Sequence, residues 1–279
     1  MRLGGPVHDD YDSPEEWVAA LRDRGYSAAY CPVEPDADPE TVAAYADAAR
    51  EADIEIAEVG AWGENLLAHD EGERRAALSA CKRRLELAEA VGARCCVSLA
   101  GSRGRRWMAP HPDNFAADSV DQVVAAVQAI VDDVDPDGAS YTLEPMPWTV
   151  PDSAASYRRL LDAVDRERFG VHFDPVNMIA SPRRYADNTA FVEGFVDELG
   201  PEIRCVHLKD VSFSDELTVH IEETRPGTGD LDYRALLTAL DELGDEDLPL
   251  MLEHLDGPAE YAAAADYVRS VADEVGVAV

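Results

Sequence analysis

Short apolar runs alternate with longer amphipathic stretches along this chain. Eight runs rich in β-branched or other apolar residues stand out, at 3–7, 26–33, 54–60, 95–99, 140–144, 170–174, 203–208 and 249–253. Runs of this length bounded by turn residues read as buried strands. The stretches between them carry helix punctuation. Ser13-Pro14-Glu15-Glu16 joins an N-cap serine, proline at the first helical position and glutamate three residues after the cap. The helix it opens is expected to stop near Gly25. Leu78, Cys81, Leu85 and Ala88 recur at three- and four-residue spacing, and Gly92 is placed to end that helix. Gly200 and Gly244 mark similar stops.

Strand and helix alternating eight times, with nearly continuous apolar strands, predict a closed parallel sheet: a single α/β domain over residues 1–279, a (β/α)₈ TIM barrel. The length of 279 residues suits a fold that usually needs about 250. An open doubly wound sheet is the alternative, but the Gly-rich phosphate turn after a first strand is absent. The segment 101–114, with Arg103, Arg105, Arg106, Trp107 and His111, reads as a long loop after the fourth strand that could cover a site.

Four residues at strand ends change the picture from fold to chemistry. Glu144, Asp174, His207 and Glu253 close the last four apolar runs, spaced 30, 33 and 46 residues apart, about one strand-loop-helix unit each time. Side chains alternate along a strand, so Thr142 shares a face with Glu144, His172 with Asp174, and Cys205 and Lys209 with His207. In a barrel that face points inward, and its last residue reaches the C-terminal mouth. Singly, a glutamate at a strand end is a solvated rim residue and a strand histidine a satisfied core residue. Together they make a donor set, because three carboxylates in an apolar mouth repel one another until a divalent cation neutralises them. One imidazole with three oxygen ligands suits Mn²⁺ best and is compatible with Mg²⁺, Co²⁺, Fe²⁺ or Zn²⁺. His172, one step below Asp174, reads as a partner of a ligand rather than a ligand.

Charge bears on setting and partners. Acidic residues number 57 against 24 basic ones, a net charge of −33 spread over the whole chain. Lys82 and Lys209 are the only lysines, leaving 22 arginines. Such a surface reads as adaptation to high salt, the cytoplasm of a halophile, and argues against nucleic acid as a partner. The five cysteines, Cys31, Cys81, Cys95, Cys96 and Cys205, show no CxxC spacing and read as reduced buried thiols. No stretch of about 18 apolar residues occurs and the N-terminus lacks a signal-peptide pattern, so no membrane partner is expected.

Five motifs carry a family resemblance. Leu143-Glu144-Pro145, Phe173-Asp174-Pro175-Val176-Asn177, Val206-His207-Leu208-Lys209-Asp210, Arg225-Pro226-Gly227-Thr228-Gly229 and Leu252-Glu253-His254 resemble successive strand motifs of the sugar phosphate isomerase/epimerase family, within the xylose isomerase-like barrels. The resemblance is specific over residues 140–255 and lies only in the strand-helix rhythm before that. It implies one divalent metal held by Glu144, Asp174, His207 and Glu253, and a small polyhydroxylated carbonyl substrate chelating it. It also implies that Glu144 and Glu253 face opposite sides of the carbon that is deprotonated, and that Arg225 contacts substrate. The family further suggests a homo-oligomer, dimer or tetramer. Two departures bear on the substrate: Asn177 stands where epimerases often carry a substrate-binding histidine, and Val150 where they often carry a glutamate.

The expected activity is therefore isomerisation or epimerisation by proton transfer through an enediolate. Dehydration of a keto-inositol-like substrate is the nearest alternative. Lys209, Arg225, Asn177, His111 and Trp62 are the expected substrate contacts, with His69, His254 and Trp148 as weaker ones. An endonuclease IV-like repair nuclease would need further histidines, one of them at position 177, and an Asp-x-His pair that 211–225 lacks. A non-catalytic sugar-binding barrel would have no need of two opposed carboxylates.

Overall fold

The structure, a computed structural model, describes residues 1–279. Ten strands form along the chain: β1 (Arg2–Gly4), β2 (Ala28–Tyr30), β3 (Glu55–Ala61), β4 (Cys95–Ser98), β5 (Ser140–Leu143), β6 (Phe169–Phe173), β7 (Ile203–Leu208), β8 (Asp210–Ser214), β9 (His220–Thr224) and β10 (Pro249–Leu252). Eight close into a parallel barrel in the order β1-β10-β7-β6-β5-β4-β3-β2, and β8 and β9 form a separate antiparallel hairpin. Each barrel strand falls within or beside one of the eight apolar runs, so the (β/α)₈ expectation holds. The hairpin was not anticipated.

Helices surround the wall, and their ends follow the punctuation. Pro14–Asp23 starts at Ser13, whose hydroxyl accepts from the Glu16 amide. Glu16 does not close a reciprocal capping box; its carboxylate accepts from the amide of Asp12, one residue earlier. Helix Glu71–Val91 ends at Gly92, in the left-handed conformation that glycine adopts at least cost. Gly200, by contrast, keeps helical dihedrals and leads into a 3₁₀ turn before β7.

Alternation sorts each strand between two cores. Outward residues such as Tyr141, Leu143, Val171, Phe173, Val206 and Leu250 join the large core beneath the helices. Phe173 stacks on Phe195 of helix Asn188–Leu199, with centroids 4.2 Å apart and planes 7° from parallel. Such a contact adds about 0.5–1.5 kcal/mol to area burial and fixes the strand that ends at Asp174. Inward residues Ala28, Ala57, Cys95, Cys205 and Met251 fill the lower barrel as a second, small-residue cluster. Gly4 belongs to this tight interior, since a Cβ there would lie 2.7 Å from Met251 Sδ. The five cysteines are all free thiols, four of them buried.

Two connections at the C-terminal end are lashed down. In the segment 101–114, Asn65 and Asn114 hold Ser102 and its neighbours, and Arg103 bonds to Ser119, Gln122 and the Leu67 carbonyl. In the loop after β9, buried Asp210 accepts from the amides of Val211, Gly227, Gly229 and Leu231. Gly229 is required there: a Cβ would meet Val211 O at 2.4 Å and Asp210 Oδ1 at 2.5 Å.

Candidate active site

Strands β5, β6, β7 and β10 are consecutive in the barrel wall, so the residues at their ends converge. Ligand atoms of Glu144, Asp174, His207 and Glu253 all lie within 4.8 Å of one another. His207 Nδ1 is the hub, 2.9 Å from Glu253 Oε1, 3.2 Å from Glu144 Oε1 and 3.9 Å from Asp174 Oδ2. Local structure aims each group. Asp174 caps the short helix Pro175–Met178, one oxygen accepting from the Asn177 amide and the other turned toward the cluster. The Asn177 side chain donates to Glu144 Oε1 at 3.0 Å. Beneath them, the Tyr157 hydroxyl ties the carbonyls of Leu143 and His172, joining the ends of β5 and β6.

Lys209 enters the same space, 1% exposed. Its ammonium lies 2.6 Å from Glu253 Oε1, 2.8 Å from Asp174 Oδ2, 3.3 Å from Glu223 Oε2 and 3.2 Å from Asn177 Oδ1. Burial opposes its charge, but Asp174, Glu253 and Glu144 outweigh burial and raise its pKa well above the ordinary value. Burial likewise opposes charge on His207, and Glu253, Glu58 and Glu144 again prevail. For Glu253, burial raises the carboxyl while His207 and Lys209 pull it well below the usual range. Burial dominates at Glu144, and its pKa is raised.

The residues present fit a divalent cation. Asp174 Oδ2 and Glu253 Oε1 are buried without a hydrogen-bond partner, although Lys209 stands within ion-pair distance of both. Two buried, under-bonded carboxylate oxygens facing a third carboxylate and an imidazole nitrogen are the donor chemistry of a hard to borderline divalent ion.

The other expected contacts lie at varying remove. Asn177 contacts Glu144, and Lys209 contacts Asp174 and Glu253, directly. Trp62, just past β3, folds its indole over Gly60, where a Cβ would stand 2.1 Å from Nε1, and is 42% exposed at the rim. Arg225 is engaged by Glu260 at 2.9 Å and makes no hydrogen bond to the cluster. His111 accepts from the Asp113 amide at a 3₁₀ turn, lies edge-on to His69, 6.5 Å between centroids, and makes no hydrogen bond or ion pair to Glu144, Asp174, His207 or Glu253. The Trp148 carbonyl accepts from Asn114, helping to fasten the long loop.

Three residues near the cluster were not expected. Glu223, on β9, reaches Lys209 and sits 3.1 Å from His254 Nδ1. Its sequence neighbourhood, His-Ile-Glu-Glu-Thr, looks like any solvated strand. Tyr30 donates to the Leu252 carbonyl, and burial together with Glu253 and Glu58 raises its pKa far above the ordinary value. Glu58, in the middle of β3, is 2% exposed and receives both His172 and His207. An acid between Ala57 and Val59 in an apolar run was the signal for it.

The sequence matches the xylose isomerase-like TIM barrel family over residues 18–271. The chain belongs to that family. No curated protein matches it. Several solved structures share its shape at low identity. 3-Keto-D-glucoside 4-epimerase from E. coli, in apo form, is 15% identical with a TM-score of 0.70, covering 97% of this chain and 99% of the other. D-psicose 3-epimerase with D-tagatose, from Clostridium cellulolyticum H10, is 14% identical with a TM-score of 0.70, covering 97% and 99%. A xylose isomerase-like TIM barrel protein from Mycobacterium smegmatis in complex with magnesium is 14% identical with a TM-score of 0.69, covering 98% and 96%. At these identities the likeness establishes the xylose isomerase-like fold.

Proposed function

We propose that this chain is a divalent-metal-dependent isomerase or epimerase of a small polyhydroxylated carbonyl compound. The observation that carries this reading is the convergence of Glu144, Asp174, His207 and Glu253 within 4.8 Å, with two glutamates in the donor set. The metal would be held by these four residues, Mn²⁺ suiting the set best. When bound, it would draw negative charge from a substrate carbonyl and so acidify the neighbouring C–H, the chemistry of an enediolate. Two of the similar folds are named for epimerases of keto sugars and one for a magnesium complex, which agrees with this reading.

The protein's own groups then handle the proton. Glu144 and Glu253 approach His207 Nδ1 from different strands, β5 and β10, and so flank the position between them. One carboxylate takes the proton from carbon and the other returns one. Return to the same carbon from the opposite face inverts it; return to the adjacent carbon moves the carbonyl. Lys209 supplies a fixed positive charge beside both Asp174 and Glu253, placed to bind a substrate oxygen. Asn177 keeps Glu144 turned inward.

The test is proton exchange. Mn²⁺-loaded and chelator-stripped protein would be incubated in D₂O and molar salt with ketoses, keto-inositols and hydroxypyruvate, and α-proton signals followed by NMR. Exchange that needs metal and is lost in Glu253→Gln is the expected result. Metal uptake with no exchange on any compound would sink the isomerase reading, and loss of water from a keto-inositol would replace it with dehydration.

A further inference from the structure

We infer that Glu58 is the positioning residue for the histidine of the metal centre: it keeps a proton on His207 Nε2, so that Nδ1, the nitrogen facing Glu144, Asp174 and Glu253, is the one left to a bound cation. The inference rests on the proposed role of His207 as a ligand.

As a metal ligand an imidazole is neutral and carries one proton on one of two nitrogens. At Nδ1, three carboxylates lie within 4 Å, and each would accept that proton. Left to those neighbours, the ring would settle with Nδ1 protonated and its lone pair aimed away from the cluster. The only carboxylate on the other side is Glu58, whose Oε1 lies 3.3 Å from Nε2. A carboxylate accepts only, so the contact keeps a proton on Nε2, and Nδ1 is the nitrogen that would give up its proton to a cation.

Glu58 is itself held for this task. Its Oε2 receives His172 Nε2 at 2.8 Å and the Cys205 thiol at 3.4 Å. The His172 and His207 rings meet edge to face, centroids 4.1 Å apart, which fixes the plane of the ligand ring. At 2% exposure Glu58 has no route to substrate. Stability alone does not account for it, since an apolar side chain at a buried site is generally no less stabilising than an ion pair. With a cation held by His207 the arrangement would be a carboxylate–histidine–metal chain, in which loss of the outer carboxylate lowers metal affinity by about 10- to 100-fold.

Two measurements decide the matter. In ¹⁵N-histidine-labelled wild-type protein loaded with Mg²⁺, the His207 ring is expected to carry its proton on Nε2 and none on Nδ1; a proton on Nδ1 would overturn the assignment. Titration with Mn²⁺ is expected to show Glu58→Gln binding about 10- to 100-fold more weakly than wild type, with a cooperative melt confirming its fold in chelator. Equal affinity would also overturn the assignment while leaving the metal reading intact. Wild-type protein that takes up neither ion would overturn the metal reading, and the role of Glu58 with it. Should Glu58→Gln not fold, the wild-type ring protonation decides alone.

Discussion

Lys209 concentrates the physics of the mouth into one side chain. A lysine this buried persists because four acidic or amide groups surround it, two of them within 2.8 Å. Removing one partner of a buried ion pair costs about 3–5 kcal/mol, because the other charge is left unsolvated. Lys209→Met is therefore expected to melt well below wild type in chelator. Saturating Mn²⁺ should recover much of the loss, since a cation would again face Asp174 and Glu253. Thermal scans with and without metal check this; a loss indifferent to metal would place Lys209 outside the metal's field.

Among elements, the loop that follows the β8–β9 hairpin owes its shape to one carboxylate. Asp210 gathers four backbone amides, and Gly229 lets them approach. Asp210→Asn turns one acceptor oxygen into a donor facing N–H groups and is expected to cost about 1.5–3 kcal/mol, read as a lower urea midpoint. Gly229→Ala should destabilise by a comparable amount, because the obstructing atoms are backbone and a short carboxylate. Unchanged midpoints would show the loop to be held by other contacts. The barrel itself was legible in the sequence, since the period-two face and the spacing of strand ends survive in any reading of the chain. The convergence of Glu144, Asp174, His207 and Glu253 was legible for the same reason. The hairpin was not: Val-Ser-Phe-Ser and His-Ile-Glu-Glu-Thr are joined without a Gly or Asn turn signal, and past Val211 no residue of either strand is buried. Glu58 escaped because its partners are 114 and 149 residues away, a proximity that only closure of the barrel creates. Arg225 pairs with Glu260, on the helix Pro258–Val275 outside the motif, a partner the motif could not show.

At the scale of the molecule, the net charge of −33 opposes compaction. Raising KCl from about 0.1 M to about 1 M shortens the Debye length from about 10 Å to about 3 Å. The melting temperature is expected to climb over that range, and a flat or falling profile would remove the case for adaptation to salt. The closing seam of the barrel has a consequence in time. Residues 2–4 pair with 249–251, the widest separation in the wall, and such pairings form late because the loop entropy falls due before any contact repays it. Glu253 directly follows that last strand. The third carboxylate, and last of the four donors, thus arrives at the mouth in the same event that seals the wall, and with the proposed metal site the onset of metal uptake during refolding would mark the moment the barrel shuts.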